Sequence, residues 1–473
     1  MTQVNQLSTG EIQPDRRGFL RKTGTAAAGI ALSDVFGGFL GRVARGDEVR
    51  KLGWGPLRPT VDETTGLALL NLPEGFRYLS FGWVGDPLEG GQPTPGVHDG
   101  MAVIAADGPV LTLCRNHEVD LNRRAFTAAN AAYDPVSSGG CVNLTFDTSA
   151  GKLVKAWGSI SGTIKNCAGG VTPWGTWLTC EETVVSQGGL HEPKGGPQPM
   201  CTKDHGYIFE VPAVGTAKPV PLKAMGRFVH EAIAVDPETG IVYETEDRNT
   251  SGMYRFTPKV KGRLIEGGTL EMMAVDGFGD LRKQVPTGKV FQVTWVTIDD
   301  VDRAHAPNTT NELGVYTQGK NKAATTFARL EGCWYHGGFI YFSATSGGNA
   351  EAGQVWEYHP KTETLRLVFE SPSTTVLEKP DNICVSPSGG LVICEDGDQT
   401  PQRLHGLTTK GELFGIASAN MVLKGEKNGL KGDFRNSEWA GACFSPDGKW
   451  LFANLQVPGF TVAITGPWSA GGL

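Results

Sequence analysis

A hairpin pattern that returns along the chain constrains the fold more than any other feature of this sequence. Six stretches share it, each with a short apolar strand, a turn rich in Gly, Asp or Pro, and a second strand of β-branched or aromatic residues. They are Gly100 to Asp120, Thr172 to Thr183, His230 to Asn249, Leu330 to Gly348, Pro380 to Asp398 and Trp439 to Gly459. Each reads as a β-hairpin. Successive hairpins start about 50 to 100 residues apart, which leaves room for one four-stranded blade each, with insertions. The predicted fold is therefore all-β, a six-bladed β-propeller with loop and small helical insertions. A large β-sandwich would repeat single strands at shorter, more regular intervals.

Composition agrees with one large β unit. The 65 Gly and 28 Pro supply many turns, and 39% hydrophobic residues with 11 Trp and 21 Phe suffice for a packed core, which argues against disorder. A net charge of −7, with no long basic run past residue 50, argues against a nucleic-acid surface.

The N-terminus reads as an export leader. Asp15-Arg16-Arg17-Gly18-Phe19-Leu20-Arg21-Lys22 is a twin-arginine pattern followed by a modestly apolar stretch, Thr23 to Leu40. Asp34 interrupts that stretch and no clean A-x-A site precedes Asp47. The expected organisation is a leader over 1–46 and a single propeller domain over 47–473, monomeric, exported by the twin-arginine machinery to the periplasm or beyond. Past Leu40 no segment approaches the roughly 20 apolar residues of a membrane span.

The nine cysteines include no C-x-x-C pair. Cys384 and Cys394 face each other across one predicted hairpin and fit either a disulfide or two buried thiols. Cys180 is expected to be unpaired because Glu181 and Glu182 adjoin it. Ser186 to Lys203 reads as a surface loop with a strand resuming at Tyr207, the segment from Thr257 to about Phe327 as an insertion with strands and a short helix, and Phe460 to Trp468 as the strand that closes the ring.

A hairpin is closed at its turn, so its free ends lie together. If each hairpin is the inner pair of a blade, the ends converge around one end of the axis. That gathers His98, Asp99, Asn116, His117 and Glu118; Asn166, Cys180, Glu181 and Glu182; His230, Glu231, Glu246 and Asp247; Glu331 and Ser346; Asp381, Asn382, Glu395 and Asp396; Glu438 and Asn454. So many acids repel one another unless cations balance them. Carboxylates select Ca²⁺ or Mg²⁺, and thiolate or imidazole a softer transition metal, so the mixture suggests both kinds of ion. Other chemistries lack their residues: Ile160 occupies the nucleophile position of Gly158 to Gly162, and neither His117-Glu118 nor His230-Glu231 has the second His of H-E-x-x-H.

Taken in order, the twin-arginine start, Asn116-His117-Glu118, Cys180-Glu181-Glu182, Gly226-Arg227-Phe228 before His230-Glu231, Glu331-Gly332, Pro380-Asp381-Asn382, Glu395-Asp396-Gly397 and Ala463 to Trp468 resemble the PhoX alkaline phosphatase family. The resemblance implies calcium and iron (Ca²⁺, Fe³⁺), a bridging cysteine thiolate, and hydrolysis of phosphomonoesters outside the cytoplasm. It carries the bridging role onto Cys180 and a metal-ligand role onto Glu118, Glu181, Glu231, Glu331, Asp381, Glu395 and Asp396. Cys180 and Glu118 are thus expected at the reacting centre, and Arg403 or Lys379 is the expected cation on the phosphate. The rival readings are a calcium-dependent lactonase with His117 or His230 as base, and a non-catalytic propeller whose ions only hold the blades.

Overall fold

The first inner strand, His98–Asp107, alternates small and branched residues and folds back on Val110–His117 across a two-residue Gly-containing turn. Gly139–Asp147 and Lys152–Thr163 continue the antiparallel meander into a four-stranded sheet. This is a computed structural model describing residues 53–120, 124–190, 198–408, 410–470 and 473. The expected leader over 1–46, with its twin arginines, lies outside the described residues.

The same meander repeats with variations. Asn166–Val171, Thr176–Glu181 and Ile208–Pro212 form a three-stranded sheet. His230–Val235, Val242–Glu246, Met253–Pro258 and Gly268–Val275 form another run, extended by Val290–Thr297. Leu330–His336, Phe339–Ala344, Gln354–His359 and Thr364–Glu370 form the next. Pro380–Val385, Leu391–Glu395, Arg403–Leu407 and Leu413–Ala419 are joined by Leu70–Leu72 and Arg58–Thr60 into a six-stranded sheet. Trp439–Phe444, Trp450–Leu455 and Phe460–Thr465 take Arg77–Phe81 as their fourth strand, with Thr461 opposite Phe81. That pairing removes the open edge of the last sheet, as the sequence led one to expect.

The architecture is all-β and propeller-like, but six separate four-stranded blades are not what the hydrogen bonds form. Val290–Thr297 pairs with Thr364–Glu370, so two meanders fuse at their outer edges into one nine-stranded sheet, while another sheet stops at three strands. The reason is local: the insertion between Val275 and Leu330 supplies an extra edge strand, and an unpaired edge is satisfied by the neighbouring edge it reaches. The helix Gly314–Asn321, the only α-helix among the described residues, sits in this same insertion. No described helix is long and apolar enough to cross a membrane.

Innermost strands succeed one another around a closed circuit. His98–Asp107 packs on Asn166–Val171, then in turn come His230–Val235, Leu330–His336, Pro380–Val385 and Trp439–Phe444, which returns to the first. Apolar side chains fill the spaces between adjacent sheets, Phe146 of the first meander meeting Phe81 at 5.0 Å and Phe452 at 5.2 Å in the last. Cys384 and Cys394 are free buried thiols, opposite Val392 and Leu404 rather than each other.

Candidate metal centre

Every inner hairpin opens with one irregularity. His98 lies opposite His117, yet the next pair is Met101 with Arg115, so two residues of the first strand face one of the second. The same two-against-one count comes after Asn166–Glu181, His230–Glu246, Leu330–Ala344, Pro380–Glu395 and Ala440–Asn454. A β-bulge re-aims the side chain it displaces. The leading bulged residues are Asp99, Cys167, Glu231, Glu331 and Asp381, all buried, and in the sixth hairpin Gly441. Only glycine fits there: its φ is +59°, and a Cβ would stand 2.6 Å from the carbonyl oxygen of Asp99.

The returning strands add a second set. Glu118, Glu182, Asp247 and Asp396 each come directly after the last paired residue, and their N–H groups donate to the carbonyls of Val97, Lys165, Val229 and Lys379 at 2.9 to 3.1 Å. Lys165, Arg329 and Lys379, each just ahead of an inner strand, sit in left-handed backbone with φ of 51°, 47° and 47°. Strain of that kind persists only where surrounding structure fixes it. Here it turns two cations onto the acids. Lys165 Nζ lies 2.5 Å from Glu182 and 3.4 Å from Glu118, and Arg329 holds Asp247 through two hydrogen bonds at 2.9 and 3.0 Å and Glu331 at 2.8 Å. Gln456 joins Glu118 and Glu438 by donating to both, at 2.8 and 2.6 Å.

Three sets of donors lie with one atom each within 4.8 Å of one another: Cys167, Glu182 and Glu231; Glu231, Glu331 and Asp381; Asp381, Asp396 and Glu438. Shared members make them one continuous cluster. Burial, then Glu182 and Asp381, push the Glu231 carboxyl well up, and burial with Asp247 and Asp381 does the same to Glu331. Asp381 is pushed up to about 7 by burial and Asp396, and Asp396 to about 6 by burial. Asp99, raised by burial and by Glu118, leaves one carboxylate oxygen buried without a hydrogen-bond partner. Two or three basic side chains do not balance so many acids, and a buried unpartnered carboxylate oxygen is costly. The donor set therefore fits bound cations: carboxylate oxygens for calcium, and a thiol between two carboxylates for a transition metal such as iron.

Several residues named from the sequence stand elsewhere. Glu231, Glu331, Asp381 and Asp396 are in the cluster and Glu118 borders it. Cys180 is in none of the donor groups. Its side chain is buried in the apolar layer with Leu178, Ile208 and Ile233, on the strand face opposite Glu181, and burial pushes its thiol up. The sulfur in the cluster is that of Cys167, 3.4 Å from the carbonyl oxygen of His230. Glu181 is taken up by three backbone N–H groups, of Ile164, Gly206 and Tyr207, and by His205 at 2.6 Å. Glu395 accepts from Glu378 N–H and from Arg403 at 2.8 and 2.7 Å, which also accounts for Arg403. Lys379 pairs with Asp398 at 3.0 Å. In the consecutive acids Glu181-Glu182, Glu246-Asp247 and Glu395-Asp396, the first member is buried in the β-structure and accepts backbone N–H donors, while the second reaches the cluster.

Sequence reasoning overlooked Cys167, Lys165 and Arg329. A signal existed: aligning the six strand starts puts Cys167 level with Asp99, Glu231, Glu331 and Asp381. A pocket of about 460 Å³ opens beside the cluster, lined by Lys165, Glu182, Asp247, Arg248, Glu312 and Arg329 among others. His117 and His230 are fully buried against the carbonyls of Gly96 and Gly226, and burial holds both imidazoles below their ordinary range.

Fold and site together define a propeller-like, all-β protein whose inner strands present acids and one thiol beside a pocket of mixed charge. The model of the alkaline phosphatase PhoX family matches residues 52–459, and the chain belongs to that family. It is accordingly a phosphoric monoester hydrolase. A search of curated proteins finds no match. Among solved structures the chain is similar to a gluconolactonase from Xanthomonas campestris at 13% identity and a TM-score of 0.41, covering 88% of this chain and 99% of that one. It is also similar to a protein of unknown function from Bacteroides thetaiotaomicron at 10% identity and a TM-score of 0.38, covering 79% and 70%. Likeness at that level carries no argument about activity.

Proposed function

We propose that this protein cleaves phosphomonoesters at a calcium- and iron-dependent centre held by Cys167, Glu182, Glu231, Glu331, Asp381, Asp396 and Glu438, with Asp99 and Glu118 at its border. The observation that carries the reading is the repeated bulge, which delivers Asp, Cys, Glu, Glu and Asp from five successive hairpins to one buried place beside a pocket. Bound ions supply Lewis acidity toward the phosphoryl oxygens. The chain's own groups do the rest. Lys165 and Arg329 line the pocket and receive the anionic ester, Arg329 with its guanidinium already oriented by Asp247 and Glu331. Glu118 steadies Lys165 and is itself held by Gln456. The lactonase reading needs a histidine base, and the buried, backbone-bound His117 and His230 do not favour it.

The test is elemental analysis of the purified full chain alongside p-nitrophenyl phosphate turnover at alkaline pH. Iron and calcium are both expected, and Cys167→Ser is expected to lose iron and turnover together. An active enzyme containing neither metal would end the proposal. We further propose that the chain is a monomer exported by the twin-arginine route, working in the periplasm or outside the cell. Arg16→Lys with Arg17→Lys should then retain the activity in the cytoplasmic fraction.

A further inference from the structure

A second cluster of ligating side chains shares no residue with the central acids. Asp134, Cys201 and His205 are all buried and each brings one donor atom within 4.8 Å of the other two. We propose that these three residues hold a divalent ion of the zinc class, which fastens the long connection between Glu181 and Ile208 to the first sheet.

Acids face His205 at both ring nitrogens. Its Nδ1 faces a Glu181 oxygen at 2.6 Å, while its Nε2 faces Asp134 Oδ2 at 3.4 Å. A charge-assisted N–H···O contact closes to about 2.7–2.9 Å, so 3.4 Å is long for one. It is the right length for two ligands of one tetrahedral ion: zinc bonds of about 2.0 Å to nitrogen and oxygen place those atoms about 3.3 Å apart. The other ring nitrogen meets the carboxylate that fixes the orientation of a ligating imidazole, the arrangement in which a histidine backed by an acid binds metal. Glu181 is in turn immobilised by the N–H groups of Ile164, Gly206 and Tyr207.

The remaining donors are held just as firmly. Asp134 sits where the chain crosses Gly162, whose φ of +74° and a would-be Cβ only 2.4 Å from the Asp134 carbonyl oxygen leave space for nothing larger. Thr202 and Lys203 donate backbone N–H groups to Asp134 at 2.6 and 3.1 Å, bringing Cys201 across to it. Cys201 and His205 lie four residues apart on one loop, a spacing that lets both reach a single ion. Apolar and aromatic groups adjoin them: Ile164 and Val185 pack with Cys201, and the Tyr133 ring meets the His205 ring edge-on at 5.3 Å. Thiolate, imidazole and carboxylate together suit zinc or cobalt rather than calcium.

The experiment uses the full chain carrying Cys167→Ser, so that the thiol of the central cluster contributes nothing. After stripping with a chelator, Co²⁺ is titrated in and the near-ultraviolet thiolate-to-cobalt charge-transfer band is monitored. One equivalent should produce the band, Zn²⁺ should abolish it by displacement, and Cys167→Ser/Cys201→Ser should lack it while keeping the same far-ultraviolet circular dichroism. Glu181→Gln should weaken cobalt binding by about 10–100-fold and keep the band. A Cys167→Ser protein without any band, a band untouched by Cys201→Ser, or an Asp134→Asn protein that binds cobalt as tightly as its parent would each overturn the proposal.

Discussion

Glu181 and Glu182 are neighbours in the chain and serve different places: Glu182 meets Lys165 at the central cluster, while Glu181 meets His205 of the second cluster. Residues alternate across a strand, so two consecutive acids at a strand end cannot share a side. Glu182→Gln is expected to leave thermal stability near that of the parent and to lower turnover of p-nitrophenyl phosphate at least 100-fold. Glu181→Gln should instead cost about 1–3 kcal/mol of stability, because buried N–H groups lose a charged acceptor. Denaturant unfolding of both variants, read beside their kinetics, checks the division. The reverse pattern would refute it.

The two candidate sulfurs separate in the same way. Both border the same apolar layer with Leu178 and Ile208, but only Cys167 has its sulfur grouped with two carboxylates, those of Glu182 and Glu231. Cys180→Ala should keep iron and most activity and lose about 1–2 kcal/mol through the space it leaves. Cys167→Ala should lose the iron. Iron content per chain, measured for the two proteins, decides between them.

Arg329 joins Asp247 to Glu331 and lines the pocket. Its removal takes away the donor proposed to bind the phosphate and leaves two acids without their counter-ion. Arg329→Gln is expected to lower kcat/KM by about 10²–10³-fold, the usual loss for one pre-oriented donor. A larger loss for a phosphomonoester dianion than for a singly charged diester, compared on one leaving group, would identify the charge it reads.

Glu246 gives a pH signature. One of its oxygens accepts from Gly252 N–H and Tyr254 O–H, the other has no partner, and burial pushes the acid up from 4.5 to about 7. The folded state therefore binds this proton more tightly than the unfolded chain. The resulting stability is fully present below pH 4.5 and is lost as the pH rises through 7. Glu246→Gln keeps the acceptor without the charge. Its melting temperature should match the parent near pH 4.5 and exceed it above pH 7, by an amount corresponding to roughly 3 kcal/mol at most. A constant difference across that range would refute the assignment.

Much of the centre was legible in strand ends. The hairpin pattern located the inner strands, and the excess of Asp and Glu at their free ends marked where acids would meet. Glu231, Glu331, Asp381 and Asp396 came together as expected. Cys180, Glu181 and Glu395 stand outside the donor groups, and a run such as Cys180-Glu181-Glu182 does not state which of its members faces the axis. That depends on register, and register at these strand ends is set by a bulge that leaves no unique mark in the sequence.

The amino-acid order alone determined an all-β chain of repeated hairpins, closed by its last strand and rich in acids where those hairpins end, because two-residue alternation and turn chemistry are local properties. Only the folded molecule decided that Cys167 rather than Cys180 stands among the carboxylates, that Lys165 and Arg329 face the acids, and that two meanders share one sheet. Each of these depends on contacts between residues far apart in the chain, where a one-residue shift in pairing exchanges the buried side of a strand for the side that faces the axis.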